Sequence, residues 1–335
     1  NVYDASNYYD ISVPGDPTPT PYEIEYCYKG DTLSKQNTIT TSLFYAATIA
    51  HNYFQTYNIE DSNPIIMYSH VPADPSGSPS NSVAWVPDEQ RFDVGDGNNV
   101  THLAPVSVAA IAHEYGHRVL NNRFRIGSHV TNFSMPNKYI AGAIHEGVSD
   151  IFSVLVRRHA YGTVDWTLGN DIVIGDAELL PRDLAYPENT NPPQALYYND
   201  TNAYWDINNS KIYNHAGIIS KWFYLLSEGG TGANFATDNI TVEGLTIDTA
   251  EMVLIAGLNI LKGTTAFPDY VIPTYEDFCE AMIAAAQDIS CTAHKQTIRA
   301  SKAVGLCLTT PGKNEAEEDE SLCFVDLRMR DNNWD

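Results

Sequence analysis

Two histidines four residues apart, His113 and His117, bracket a glutamate in the run His113-Glu114-Tyr115-Gly116-His117. On a helix, residues i and i+4 share a face, so both imidazoles can converge on one ion. Zinc accepts neutral imidazole nitrogen, and a catalytic zinc site takes three protein ligands and keeps a position for water. The bound metal lowers the pKa of that water far enough for it to attack near neutral pH. Glu114 stands beside the first histidine, where it can receive the proton the water gives up. The pentapeptide alone is also compatible with two core or surface histidines and a solvated glutamate.

A second pair of residues strengthens the metal reading. Glu146 lies 29 residues beyond His117, in His145-Glu146-Gly147-Val148-Ser149-Asp150, just ahead of the apolar run Ile151 to Val156. Glu146 and Asp150 are also four apart and share a helical face. Two acids aimed into an apolar interface are costly unless something positive compensates them. A metal ion would do so for Glu146, and the N–H of a ligand imidazole would do so for Asp150. The competing reading is an exposed acidic face.

Taken together, the histidine run and Gly142 to Phe152 resemble the thermolysin family of zinc metalloendopeptidases. The likeness extends from about Tyr3 to Leu308 and includes Gly95-Asp96-Gly97, Trp222 to Leu226 with Gly229-Gly230, and Ala303-Val304-Gly305. It implies that His113, His117 and Glu146 hold zinc, that Glu114 is the general base and that Asp150 orients His113. Arg182 falls where the family has an arginine that holds a substrate carbonyl; an ordinary paired arginine is the alternative.

The chain departs from that family at several working positions. In Ile212-Tyr213-Asn214-His215-Ala216-Gly217, counting back from the glycine puts Tyr213 at the family's oxyanion-stabilising histidine and His215 at its asparagine. A tyrosine hydroxyl can donate to an oxyanion, and His215 can serve if the segment is rearranged, so both stay open. Losing such a donor costs roughly 2.7 to 4 kcal/mol. A second donor, a tyrosine in relatives, aligns with Asn137, and Tyr139 two residues on is the better chemical candidate. The family's substrate-backbone motif corresponds to Asn81-Ser82-Val83-Ala84-Trp85 with one extra residue, so Asn81 and the Ala84 backbone are candidate substrate contacts. Leu168, Ile172 and Val106 take the part of the pocket for the residue after the scissile bond, or are plain core. Where relatives gather acids around paired calcium ions, this chain has Ala109, Arg157, Thr167 and Asn170, and only Asp165 remains. Calcium needs about six to eight hard oxygen ligands. The double site is therefore expected to be lost, with Asp171 or Asp176 available for a different one.

These residues need particular elements to carry them. Alternation over Tyr22 to Tyr28 predicts a strand or hairpin, and Pro64–Tyr68, Ser82–Val86 and Arg91–Val94 read as further strands. Helical spacing covers 40–57, and from Ser107 it recurs through Val108, Ile111, Ala112, Tyr115 and Val119 until Asn121-Asn122. Further helices are predicted near 144–159, 217–226, 249–261, 275–289 and 292–306. Strands first and helices after predict an α+β protein of two lobes, as the resemblance also implies. Residues 1–127 would form a β-rich lobe including the zinc helix and 128–309 an α-helical lobe, with the zinc site in the cleft. Residues 310–335, with the acidic run Glu315 to Glu320, read as a linker or the start of another module.

Composition narrows the partners. The 335 residues carry 42 acidic and 19 basic side chains, a formal charge of −23, which argues against nucleic acid or an anionic membrane. No run is read as a membrane span and no signal segment opens the chain, whose first residues look like a mature or trimmed end. Cys27, Cys279, Cys291, Cys307 and Cys323 contain no Cys-x-x-Cys spacing, and their pairing stays open. The expected function is a secreted or cell-surface zinc metalloendopeptidase, a monomer acting on proteins or peptides and cutting before hydrophobic residues. Two rivals stand beside it. One is a weakly active or inactive zinc-binding surface or adhesion protein on the same fold, motivated by Tyr213; the other is an aminopeptidase or other zinc hydrolase.

Overall fold

The computed structural model describes residues 2–4, 22–23, 38–60, 63–74, 76–126, 137–174, 182–198, 212–233, 239–263 and 272–307. The fold is α+β. Two compact units divide it: residues 1–123, 148–183 and 189–191 form the first, and 124–147, 184–188 and 192–335 the second.

In the first unit, β1 (Val2–Asp4), β2 (Tyr22–Glu23), β3 (Met67–Ser69), β4 (Val83–Val86) and β5 (Arg91–Val94) make a mixed sheet ordered β2-β1-β3-β5-β4. β1 and β5 run parallel to β3, while β2 and β4 are antiparallel to their neighbours. β4 is therefore an edge strand. The rest of the strand expected over 22–28 lies outside the described residues, as do Asp176, Cys27, Cys323 and the acidic run.

An aromatic stack seats α2 (Val108–Asn122) against this sheet and against α1 (Thr38–Thr56). Phe54 of α1 stacks on Tyr115 of α2 with ring centroids 5.2 Å apart, Tyr115 on Phe92 of β5 at 5.7 Å, and Phe92 meets Trp85 of β4 at 4.8 Å. Tyr115 has no exposed surface. His113 and His117, two residues to either side, consequently turn away from that core face. The helix opens on Ser107, whose side chain accepts the Ala110 N–H as an N-cap.

The division between units passes through α3 (Asn137–Tyr161), between Gly147 and Val148. α3 begins earlier than the expected 144. Gly142 disfavours helix by about 1 kcal/mol relative to alanine, but Ile140, Ala141 and Ala143 around it are buried, and that packing carries the helix through it. Tyr139–Tyr161 is long and apolar enough to cross a membrane by length and composition alone. However, 94% of its most apolar stretch is buried within the fold, and it carries Glu146 and Asp150, as a core helix can.

The second unit holds α4 (Ile212–Glu228), α5 (Ile247–Gly263), α6 (Tyr275–Ile289), α7 (Cys291–Ala303) and the hairpin of β8 (Gly229–Ala233) and β9 (Asn239–Glu243). Trp222 anchors it, meeting Phe278 at 5.2 Å and donating Nε1–H to Ser301 Oγ at 3.1 Å. A disulfide joins Cys279 to Cys307, and Cys291 is disulfide-bonded as well. α4 starts before the expected Gly217, so Tyr213 and His215 stand on a helix. Gly217 does not break that helix because it serves packing, a Cβ there falling 2.7 Å from Ala195 O. α7 stops at Ala303, short of 306, where Gly305 at φ 69 takes the left-handed turn after the helix.

Candidate active site

Ser149 and Asp150 of α3 meet the two histidines of α2. His113 Nδ1 lies 2.9 Å from Asp150 Oδ1, and His117 Nδ1 lies 3.0 Å from Ser149 Oγ. Glu146 stands one turn before Asp150 on the same helix and is buried. Both Nδ1 atoms are engaged by α3, so a metal bound by these histidines would be held through Nε2. His113, His117 and Glu146 each offer a ligand atom, and these atoms lie within 4.8 Å of one another. The two rings are nearly perpendicular with centroids 4.6 Å apart.

Glu114 is held from the sheet side. Its Oε2 accepts the backbone N–H of Trp85 at 2.7 Å. The register explains why that N–H is available. Ala84 pairs with Asp93 and Trp85 with Phe92, while Phe92 N–H is directed to Ile66 O on the other side of β5. Asp93 therefore turns its backbone groups toward Ala84, and Val83 and Trp85 turn theirs outward from the edge. The Ala84 backbone proposed as a substrate contact is thus directed at β5. Asn81 is exposed, with Nδ2 3.4 Å from His102 Nδ1.

Asp150 has no exposed surface, and Arg182 Nη1 donates to its Oδ1 at 2.5 Å. Arg182 lies on β7 (Arg182–Asp183), which pairs with β6 (Thr167–Leu168) so that Leu168 is opposite Arg182. This short antiparallel strand pair thereby joins a specificity candidate to the Asp150 contact. Leu168 is buried, and Ile172 and Val106 are half-buried.

A family model described as thermolysin metallopeptidase, alpha-helical domain, matches residues 137–306, just over half the chain, from α3 through α7. The chain belongs to the thermolysin family of metallopeptidases. Over 156 residues it is 31% identical to a bacillolysin of Bacillus cereus, covering 46% of this chain and 25% of that protein. Over 142 residues it is 34% identical to thermolysin of Alicyclobacillus acidocaldarius subsp. acidocaldarius, covering 41% and 23%. A bacillolysin of Bacillus amyloliquefaciens matches over 316 residues at 25% identity, covering 89% and 52%. The chain thus spans between about a quarter and about half the length of these curated relatives.

In this thermolysin-family chain the candidates for oxyanion binding differ in access. Tyr213 is 53% exposed, whereas His215 is 1% exposed. Gly142 faces Ile212, and Gly147 faces Ala216 and Ile219. The first turns of α4 therefore run beside the part of α3 that bears Glu146. The Tyr213 carbonyl accepts Gln194 Nε2 at 2.6 Å, and the Asn214 side chain donates to Pro193 O at 3.0 Å, fixing that turn. Tyr139 is half-buried in the first turn of α3, and the Asn137 side chain lies outside the described residues.

At the positions compared with calcium ligands, Arg157 Nη2 lies 2.7 Å from Asp165 Oδ2. Burial opposes the ionised form of Asp165, but hydrogen bonds from Thr167 and the nearby Arg157 outweigh it and hold the carboxyl below its usual pKa. Asn170 Nδ2 donates to Thr167 Oγ1 at 2.7 Å, and Ala109 contributes its carbonyl to Ser153 Oγ at 2.8 Å.

Two contacts of the candidate site were not foreseen from the sequence. Ser149 could have been noticed as a small polar residue three places after Glu146 on the same face. The Trp85 N–H carries no sequence signal, since every residue other than proline has one.

Proposed function

We propose that this chain is a zinc-dependent endopeptidase that hydrolyses internal bonds of protein or peptide substrates. The observation that carries this reading is the convergence of His113, His117 and Glu146 within 4.8 Å. The donor set fits the ion, since two neutral imidazoles with engaged Nδ1 atoms and one carboxylate make a three-ligand catalytic set. Zinc held there supplies Lewis acidity, polarising a carbonyl and lowering the pKa of water to about 7.

The chain's own residues then divide the work. Glu114, tethered to Trp85 through Oε2, accepts the proton of the attacking water on its other oxygen and passes it to the leaving amine. Asp150 offsets charge on His113 and keeps its proton on Nδ1. Tyr213, whose ring reaches solvent, donates to the oxygen that gains charge; His215 is too enclosed for this. Arg182 and Tyr139 add donors for substrate carbonyls. An extended substrate can pair with the outward groups of Val83 on the edge strand, beside Asn81. Leu168, with Ile172 and Val106, receives an apolar side chain after the scissile bond.

The remaining expectations join this proposal. The disulfides support a secreted protein, because such bonds persist in oxidising surroundings. The Arg157–Asp165 ion pair supports loss of the double calcium site, a guanidinium standing where a cation would compete. Calcium chelation that leaves the melting temperature unchanged would agree with this. The monomeric state is to be checked by light scattering.

The test is incubation with casein, with and without a zinc chelator. Cleavage should be chelator-sensitive and absent in Glu114→Gln at unchanged zinc content, and product ends should show internal cuts before hydrophobic residues. Trimming from the amino end would indicate an aminopeptidase. The tyrosine at position 213 favours a second reading, a weakly active or inactive zinc-binding surface protein, and intact casein with zinc-loaded protein would support it.

A further inference from the structure

We propose that Ser149 is a second positioning residue of the metal centre, holding His117 as Asp150 holds His113. The inference rests on the zinc reading above and adds an inequality between the two histidines.

An imidazole that binds a metal through Nε2 must carry its proton on Nδ1. For His117 that proton points at Ser149 Oγ, 3.0 Å away on a residue with no exposed surface. The opposite assignment, with the hydroxyl donating to Nδ1, would put the proton on Nε2 and close the metal position. Metal binding therefore selects Ser149 as acceptor.

Gly116 makes this contact possible. A Cβ there would lie 3.1 Å from both Ser149 Cα and Ser149 Oγ, so only glycine lets α2 and α3 approach closely enough without a shift. Adjacent residues on α3 thus serve the two histidines of α2 differently. His113 faces a carboxylate that raises its basicity, and His117 faces a neutral hydroxyl that raises it less.

Three measurements test the proposal. In zinc-loaded protein labelled with ¹⁵N-histidine, the His117 Nδ1–H resonance should be resolved and hydrogen-bonded, upfield of the His113 signal. In Ser149→Ala that resonance should shift while the His113 resonance stays. Zinc affinity by chelator competition should fall about 10- to 100-fold, with the melting temperature of the metal-free protein changed less than that of the loaded protein. Gly116→Ala should weaken zinc binding in the parent and add little in the Ser149→Ala background, because both changes break one contact. Parental zinc affinity in Ser149→Ala, or an unmoved His117 resonance, overturns the inference while leaving the zinc reading intact. A parent protein that takes up no zinc overturns the proposed function and this inference with it. The resonance in the unmutated protein decides the question even if the variants fold poorly.

Discussion

His113 Nδ1 lies 2.9 Å from Oδ1 of Asp150, a carboxylate with no exposed surface. A carboxyl group so enclosed needs polar partners, and its Oδ1 has two, His113 Nδ1 and the Arg182 guanidinium at 2.5 Å. Asp150→Asn preserves the shape and removes the charge. We expect zinc affinity to drop about 10- to 100-fold. Stability should fall by about 2 kcal/mol, the worth of charged hydrogen bonds with one partner partly solvated. Chelator competition and urea unfolding measure the two effects, and an unchanged zinc affinity would remove Asp150 from the site.

Tyr213 offers a separate test of catalysis. Its ring is 53% exposed, so Tyr213→Phe should leave folding and zinc content as they are. If the hydroxyl donates to the developing oxyanion, kcat should fall about 100- to 1000-fold with a smaller change in KM. Full activity in this variant would assign the donor elsewhere.

Acid sensitivity has an identifiable contributor in α7. Burial holds His294 below its ordinary pKa of 6.5. The folded protein keeps this ring neutral where the unfolded chain would protonate it. Its contribution is therefore present above pH 6.5 and is lost as pH falls below that value. Melting temperatures of the parent should decline through that range, and His294→Gln should decline less. Parallel curves for the two proteins would refute the assignment.

The Cys279–Cys307 disulfide closes a loop with a sequence separation of 28 between α6 and the end of α7. Constraining a loop of that length in the unfolded chain is worth about 2–4 kcal/mol. Cys279→Ala/Cys307→Ala should lose that amount in denaturant unfolding with a somewhat steeper slope, because the uncrosslinked chain exposes more surface; a midpoint and slope equal to the parent's would show that the bridge contributes nothing.

Much of the candidate metal group was legible from spacing. His113 and His117, and likewise Glu146 and Asp150, are one helical turn apart, and helical period is a local property of the chain. The helices themselves were legible from apolar recurrence, with α6 found at its expected limits 275–289. Their ends were less so: Gly217 reads as a start in isolation, yet it lies inside α4 because Ala195 packs against it.

By itself the sequence determined which residue types share a face, and hence which residues are candidates to hold a metal. Tertiary structure decided how those donors are held. Trp85 meets Glu114 across 29 residues, and Ser149 meets His117 and Arg182 meets Asp150 across 32 residues each. It also decided that His215 is enclosed while Tyr213 reaches solvent. Such contacts depend on how α2, α3, β4 and the β6–β7 strand pair pack, and packing is set by surfaces that no local spacing reveals.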